Sequence, residues 1–335
     1  MTPVNGAWHL AARPAGIPQD SDFEWREGSA PAPADGQVLV RVEWLSIDPT
    51  NRVWMNDADS YMPKLELGSV MRGIAIGRVE ESRYKGLAPG DAVQGLLGWQ
   101  KYAVVNGASV TKLPSLPLPL SAHFGLLGHI GLTAYFGLTD IGKPKVGETL
   151  VVSAAAGAVG SLVVQLGKIM QLRVVGIAGG PEKCSRVVEE FGADACIDYK
   201  SEDLREALRR NCPSGIDIDF ENVGGRVMEV VLERINLRAR VVLCGMVSQY
   251  NAQRPEGVRG IERILVQRAR MEGFIVSDYL PRAAEALKQM IDWHLAGRLK
   301  YKLDVVDGLE YAPQALRRLF EGTNQGKVVV RVSEE

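Results

Sequence analysis

The sequence predicts an α/β protein of two domains, a doubly wound parallel sheet preceded by a smaller β-rich domain. Three observations carry this. With 335 residues the chain is long for one core and short for three. Residues 1 to about 120 show the alternation and turn punctuation of strands, and from about Ser121 the rhythm changes to strand, helix, strand, helix. In that second part six short apolar runs follow one another, as buried parallel strands do when helices cover both faces of their sheet.

Taken in order, QVLVRVEWLSID (residues 37–48) alternates as a strand does, and APAPADG and LAPGDAV supply turns. LPSLPLPLS reads as a connector, because proline prevents regular pairing. TLVVSA, RVVGIAG, ACIDYK, IDIDFEN, ARVVLCGM and MEGFIVSD are then the six strands of the sheet, with a ligand crevice expected at their carboxyl ends. After a helix ending near Gly297 the tail returns to strand, helix and strand. Its last run, KVVVRV, has to pair somewhere, and the first domain is one place for it. The expected domains are therefore 1–120 with 300–335, discontinuous, and 121–299.

Apolar content of 46% and charged content of 24% are ordinary for a globular protein. Lys and Arg number 39 against 40 Asp and Glu, with no long single-sign run, so no nucleic-acid footprint is present. Residues 113–139 and 149–167 lack charge, but prolines and glycines in the first and Ala, Gly and Ser in the second make them buried interior rather than membrane spans. The four cysteines, Cys184, Cys196, Cys212 and Cys244, form no C-x-x-C pair, and no secretory segment follows Met1. Free thiols in a reducing cytoplasm are the expectation.

The stretch VVSAAAGAVGS (residues 151–161) opens the first strand onto a helix as a phosphate-cradling loop does. Of the three glycines such a loop uses, the first permits a tight turn, the second lets backbone approach a pyrophosphate, and the third lets helix pack on strand. Gly157 and Gly160 keep the last two, while Ala155 replaces the first, a tolerable change provided φ stays negative. The amides after Gly157, those of Ala158, Val159 and Gly160, would then face a diphosphate.

At the end of the second strand an NAD site wants an acid. GIAGGPEKCSR instead places Gly179 and Gly180 there, followed by Lys183 and Arg186, which suits a 2'-phosphate and predicts NADPH over NADH. Glu182 is the competing residue; an acid in a first helical turn is also stabilised with no ligand present. Lys183 reads either as a solvated surface lysine or as the phosphate contact, the reading preferred here.

No cysteine precedes Cys184, so a thiolate zinc site in the first domain, of the kind alcohol dehydrogenases carry, lacks its ligands. The four histidines read as core or loop residues, and no metal site is expected. Neither G-x-S-x-G nor H-E-x-x-H occurs, which leaves hydrolase readings without support.

SDFEWRE, DGQVLVRVEWLSIDPTNR, GLTAYFGL, VVSAAAGAVGSLVVQLGK, VVGIAGGPEKC, ENVGG, CGMVSQYN and TNQGKVVV, in this order and nearly end to end, resemble the zinc-free prostaglandin reductase and alkenal double-bond reductase branch of the medium-chain dehydrogenase/reductases. The resemblance implies a Rossmann domain beside a GroES-like substrate domain. It also implies NADPH-dependent reduction of the carbon–carbon double bond of α,β-unsaturated ketones and aldehydes, with hydride delivered to the β-carbon. Carried over by motif, Gly157 to Gly160 resemble the diphosphate loop, Lys183 and Tyr199 the adenosine-phosphate contacts, and Asn222 a cofactor contact. Cys244, Gly245, Ser248, Tyr250, Phe274, Ile275, Val276 and Asn324 match segments lining the nicotinamide side. Tyr250 is the candidate catalytic side chain, a neutral phenol able to donate a hydrogen bond to the nicotinamide ribose or an enolate oxygen.

Where relatives commonly read DPYMR this chain reads DPTNR, so Thr50 replaces an aromatic that would face the substrate. Quinone reduction is the rival activity, and a non-catalytic NADPH-binding protein the rival from another class. A homodimer is expected from the family and from an exposed edge at MEGFIVSD.

Overall fold

The computed structural model describes residues 3–58, 60–116 and 118–333. The chain divides into two compact units. One comprises residues 122–302 with 325–327; the other comprises 1–121, 303–324 and 328–335.

The first of these units is built on six strands: β1 (Thr149–Ser153), β2 (Arg173–Ala178), β3 (Ala195–Asp198), β4 (Ile216–Glu221), β5 (Ile235–Leu243) and β6 (Arg270–Gly273). All pair in parallel, in the order β3-β2-β1-β4-β5-β6. Helices α1 (Ala158–Ile169), α2 (Pro181–Glu189), α3 (Leu204–Asn211) and α4 (Gly225–Leu232) make the crossovers. The strand order reverses between β1 and β4, and such a switch point is where a doubly wound sheet binds its ligand.

Physical chemistry explains why these runs became strands. Every residue of β1 is buried, as it must be with helices over both faces, and each buried Val or Leu there contributes roughly 1.5 to 3 kcal/mol. Helix α1 lies close on the sheet because it is small where it touches. A β-carbon on Gly167 would come within 2.8 Å of both Leu150 and Val174. The charge-free 113–139 region supplies interior in the same unit: Ile130, Leu132, Ala134 and Phe136 on the helix His129–Phe136 are all buried. Among the described residues, no helix is long and apolar enough to cross a membrane.

MEGFIVSD departs from expectation. Only Arg270–Gly273 pairs in the sheet; Phe274 and Ile275 leave it, and Val276–Arg282 coils into a 3-10 helix. Glycine at 273 and proline at 281 favour the exit and the tight turn.

The second unit is antiparallel. Gln37–Ser46 is its central strand, pairing with Ala75–Ser82, Tyr102–Asn106 and Lys327–Arg331, the last flanked by Leu303–Asp307. The final run KVVVRV is thus hydrogen-bonded to the strand begun at Gln37, with Val329 opposite Ser46. Gln37–Ser46 is buried on both faces rather than alternating; even Glu43 is inaccessible, held by Arg41 at 2.9 Å and Arg78 at 3.3 Å. Val4–Leu10 and Phe23–Ser29 form a separate hairpin, with Phe23 stacked on Trp99. The connector 113–121 contains neither helix nor strand among its described residues.

Candidate active site

The turn after β1 puts its strained residue one place earlier than the glycine pattern suggests. Ala154, not Ala155, takes a left-handed φ of 49°, a conformation that costs a non-glycine residue about 1–2 kcal/mol. The Ala154 carbonyl then accepts the Gly157 amide at 2.9 Å, and a β-carbon on Gly160 would stand 2.3 Å from that oxygen. Gly160 therefore does the packing job foreseen for it. Gly157 caps α1 with extended backbone and no side chain to satisfy the first-turn amides. Those of Ala158, Val159 and Gly160 form the partial positive end of a helix dipole, the arrangement that receives a diphosphate.

The corner at the end of β2 is held by Asp198. Its Oδ1 accepts the Gly180 amide at 2.7 Å and the Lys200 amide at 3.1 Å, and Oδ2 takes the Ser201 hydroxyl. The Gly180 amide bond is the chief reason its carboxyl sits below the usual range. Gly180 adopts φ 96° and caps α2, with Pro181 at the first helical position. Over bare Gly179 lie the ring of Tyr199 and the stem of Lys200, each about 3 Å from where a β-carbon would stand.

Glu182 and Arg186 turn out to serve each other. Arg186 is buried, bonded to Gln325 and to Glu182 at 3.3 Å, and Gln325 also donates to Glu182. The first-turn acid is thus engaged in the fold, and so is the Arg186 guanidinium. Tyr199 and Lys200 thus stand over Gly179, and Lys183 lies in the first turn of α2.

At the switch point Ser153 ties β1 to β4. Its hydroxyl donates to Glu221 at 2.6 Å and accepts the Asn222 amide at 2.7 Å, while the Asn222 side chain donates to the Ser153 carbonyl at 2.7 Å. One N–H of the Asn222 amide is therefore engaged with the scaffold. Glu221 Oε1 also accepts the Gly224 amide at 2.9 Å, which fixes the turn into α4. Two residues back on β4, Asp219 is fully buried with neither oxygen hydrogen-bonded among the described residues. Burial and the nearby Glu221 hold its carboxyl well above the usual range, and burial raises Glu221 too.

Past β5 and β6 the chain lines a groove of about 480 Å³ with Cys244, Gly245, Met246 and Tyr250 on one side and Gly273, Phe274, Ile275 and Asp278 on the other. Tyr250 Oη accepts the Met246 amide at 3.2 Å, folding the ring back over Gly245, where a β-carbon would meet that oxygen at 3.2 Å. Burial and Glu221 push the Cys244 thiol up to about 12, so it remains a neutral lining group. Ser248 faces away from this groove's lining, donating its hydroxyl to the Val223 carbonyl at 2.7 Å. Phe274 packs over Gly137, and Val276 starts the 3-10 turn. Asn324 belongs to the other unit. Among the described residues no group of three or more His, Cys, Asp or Glu has the geometry to hold a metal ion.

Two family profiles match, "N-terminal domain of oxidoreductase" over residues 6–113 and "Zinc-binding dehydrogenase" over residues 158–295. The NADPH-dependent curcumin reductase of Escherichia coli K12 is 44% identical over 98% of this chain and 97% of its own length. The chain belongs to the medium-chain dehydrogenase/reductase family. Its place there is the alkenal and prostaglandin reductase branch: the NADP(+)-dependent 2-alkenal reductase of Nicotiana tabacum is 41% identical over 96% of the chain and 95% of that protein. The crystal structure of CurA from Vibrio vulnificus in complex with NADPH superimposes with a TM-score of 0.94 at 43% identity, covering 98% of this chain and all of that one. This medium-chain reductase thus has the Rossmann and GroES-like architecture expected of it.

Proposed function

We propose that this protein reduces the carbon–carbon double bond of α,β-unsaturated ketones and aldehydes. It is an oxidoreductase, and its cofactor is NADPH. The single observation that supports the reading most is the groove of Cys244–Met246, Tyr250 and Phe274–Ile275 at the carboxyl ends of β5 and β6, on the same sheet as the glycine-capped start of α1 and a lysine-bearing corner.

The residues present fit the cofactor. Gly157, whose open side would meet only the Ala154 carbonyl, leaves room for a diphosphate against the amides of Ala158, Val159 and Gly160. Lys183 and Tyr199, joined by Lys200, would take the 2'-phosphate. Cys244, Gly245, Tyr250, Phe274, Ile275 and Val276 would line the nicotinamide side, with Asn222 and Ser248 bracing the loops that present them. When bound, the reduced nicotinamide supplies the hydride for the β-carbon, and the conjugated carbonyl serves as its own electron sink.

What the chain must add is alignment and a hydrogen bond to the oxygen that becomes an enolate. Tyr250 would serve the second task. Its hydroxyl accepts the Met246 amide, which holds the ring, and its O–H stays available as a donor. Phe274 and Ile275 add apolar surface to the same groove. Mixing the purified protein with NADPH and a panel of enones, enals and quinones, with absorbance at 340 nm as readout, tests the proposal. Decay with enones and enals is the expected result; decay with quinones alone, or binding without decay, would replace it.

A homodimer suits the sheet edge. Leu265 and Val266 are 79% and 56% exposed beside β6, close to exposed Leu237 through the Arg238 to Gln267 backbone bond. Light scattering should give twice the 36.5 kDa chain mass. Four free cysteines suit a reducing compartment such as the cytoplasm.

A further inference from the structure

Two of the four cysteines meet. The Cys196 thiol, on β3, donates to Cys184 Sγ, on α2, at 3.2 Å, and both side chains are partly accessible. Gly176, opposite Cys196 on β2, opens the space between helix and sheet: a β-carbon there would lie 3.4 Å from Cys196 Sγ and 2.7 Å from Val187. Neither thiol touches the groove proposed for the reaction, so the chemistry above leaves them unused.

We propose that Cys184 and Cys196 are an oxidative modification site: a hydroperoxide converts the two thiols to an intramolecular disulfide, and the closed form binds NADPH less tightly. The Cys184 thiolate attacks the peroxide oxygen, the O–O bond breaks, and an alcohol and a Cys184 sulfenic acid result. Cys196 attacks the sulfenic sulfur, the S–S bond forms, and water leaves. In sum two thiols give up two electrons and two protons, and one hydroperoxide becomes an alcohol and water.

Burial raises the Cys184 thiol, and the Cys196 S–H donated to its sulfur offsets part of that, which makes Cys184 the attacking partner. Burial raises Cys196 further. The nearby Asp198 and Glu202 carboxylates oppose thiolate formation at both sulfurs, so the reaction is slow at neutral pH.

The effect on the cofactor follows from position, and this part rests on the proposed reading of the phosphate corner. Cys184 follows Lys183 on α2; Cys196 is two residues before Asp198, which grips Gly180 at the start of that helix. Drawing the sulfurs from 3.2 Å to a bond of about 2.05 Å closes roughly 1 Å, shared between side-chain rotation and movement of α2 against β3. A displacement of that size at a binding constellation costs up to about 100-fold.

The test treats the reduced, full-length protein with tert-butyl hydroperoxide. Accessible thiols after denaturation should fall from four to two, a peptide map should join the Cys184 and Cys196 peptides, and the KM for NADPH should rise about 10-fold with that for NADH little changed. A dithiol should reverse all three, and Cys184→Ser or Cys196→Ser should keep normal activity and lose the response. Four surviving thiols, a bridge between other cysteines, or an unchanged NADPH KM in the bridged form would overturn the proposal. A reduced enzyme with no preference for NADPH would instead overturn the reading of the corner, and the peptide map would still decide the pairing.

Discussion

The carbonyl oxygen of Ala154 stands where a β-carbon on Gly160 would have to go, at 2.3 Å. One atom thus dictates two neighbours, since it also takes the Gly157 amide at 2.9 Å. Gly160→Ala should cost about 1–3 kcal/mol and weaken NADPH binding, because α1 must move off the sheet. Ala154→Gly should do the opposite for stability, gaining about 0.5–1 kcal/mol by removing left-handed strain net of the added chain entropy. Urea denaturation of both variants checks the opposite signs.

Lys183→Ala should lower the preference for NADPH over NADH by about 10-fold or more, the worth of a charge-assisted hydrogen bond of roughly 1.5–3 kcal/mol. Steady-state KM values for both nucleotides decide it, and an unchanged ratio would remove Lys183 from the phosphate site. Arg186→Ala, by contrast, should leave the ratio alone and reduce stability, since its guanidinium serves Glu182 and Gln325.

Tyr250→Phe removes both the acceptor for the Met246 amide and the phenol donor. We expect kcat on a small enone to fall by at least about 10-fold, the equivalent of one lost hydrogen bond in the transition state. Full kcat in the variant would reduce Tyr250 to packing.

Asp219 gives a pH-dependent prediction. Its carboxyl is raised by burial and by Glu221, so between the unfolded value of 3.8 and the raised folded value the native state holds a proton that the unfolded chain releases. Stability from this group is complete below about pH 4 and declines as pH rises. Asp219→Asn cannot ionise; its melting temperature relative to the parent should climb between pH 4 and pH 7.5. A gap that stays constant with pH would show that Asp219 ionises freely in the native protein.

Much of the fold was legible because parallel strands under two helical layers must be short, apolar and regularly spaced, and all six runs became strands. Residues beyond pattern were harder to read. MEGFIVSD is apolar to its end, yet only its first residues pair, because nothing in hydropathy distinguishes an edge strand from the chain that leaves it. The A-x-G-x-x-G spacing located the loop but assigned its turn to Ala155, since backbone angles at adjacent alanines have no sequence signature. Arg186 reads as part of a neutral-to-positive pocket, and its partner Gln325, 139 residues away, is beyond any local pattern. Asn222 and Ser248 sit at the expected loops, and each also donates to a backbone carbonyl, of Ser153 and Val223, that no sequence pattern announces.

The pairing of Lys327–Arg331 with the strand that begins at Gln37 bears on how the molecule is made. A ribosome releases the amino-terminal strands long before the segment that completes their sheet, whereas the six parallel strands emerge as one uninterrupted stretch. The nucleotide-binding half can mature first, while its neighbour keeps an incomplete hydrogen-bonding flank until Lys327–Arg331 has been made. Chaperone demand should therefore concentrate on the early-emerging half, and truncating the last ten residues should spoil that half first.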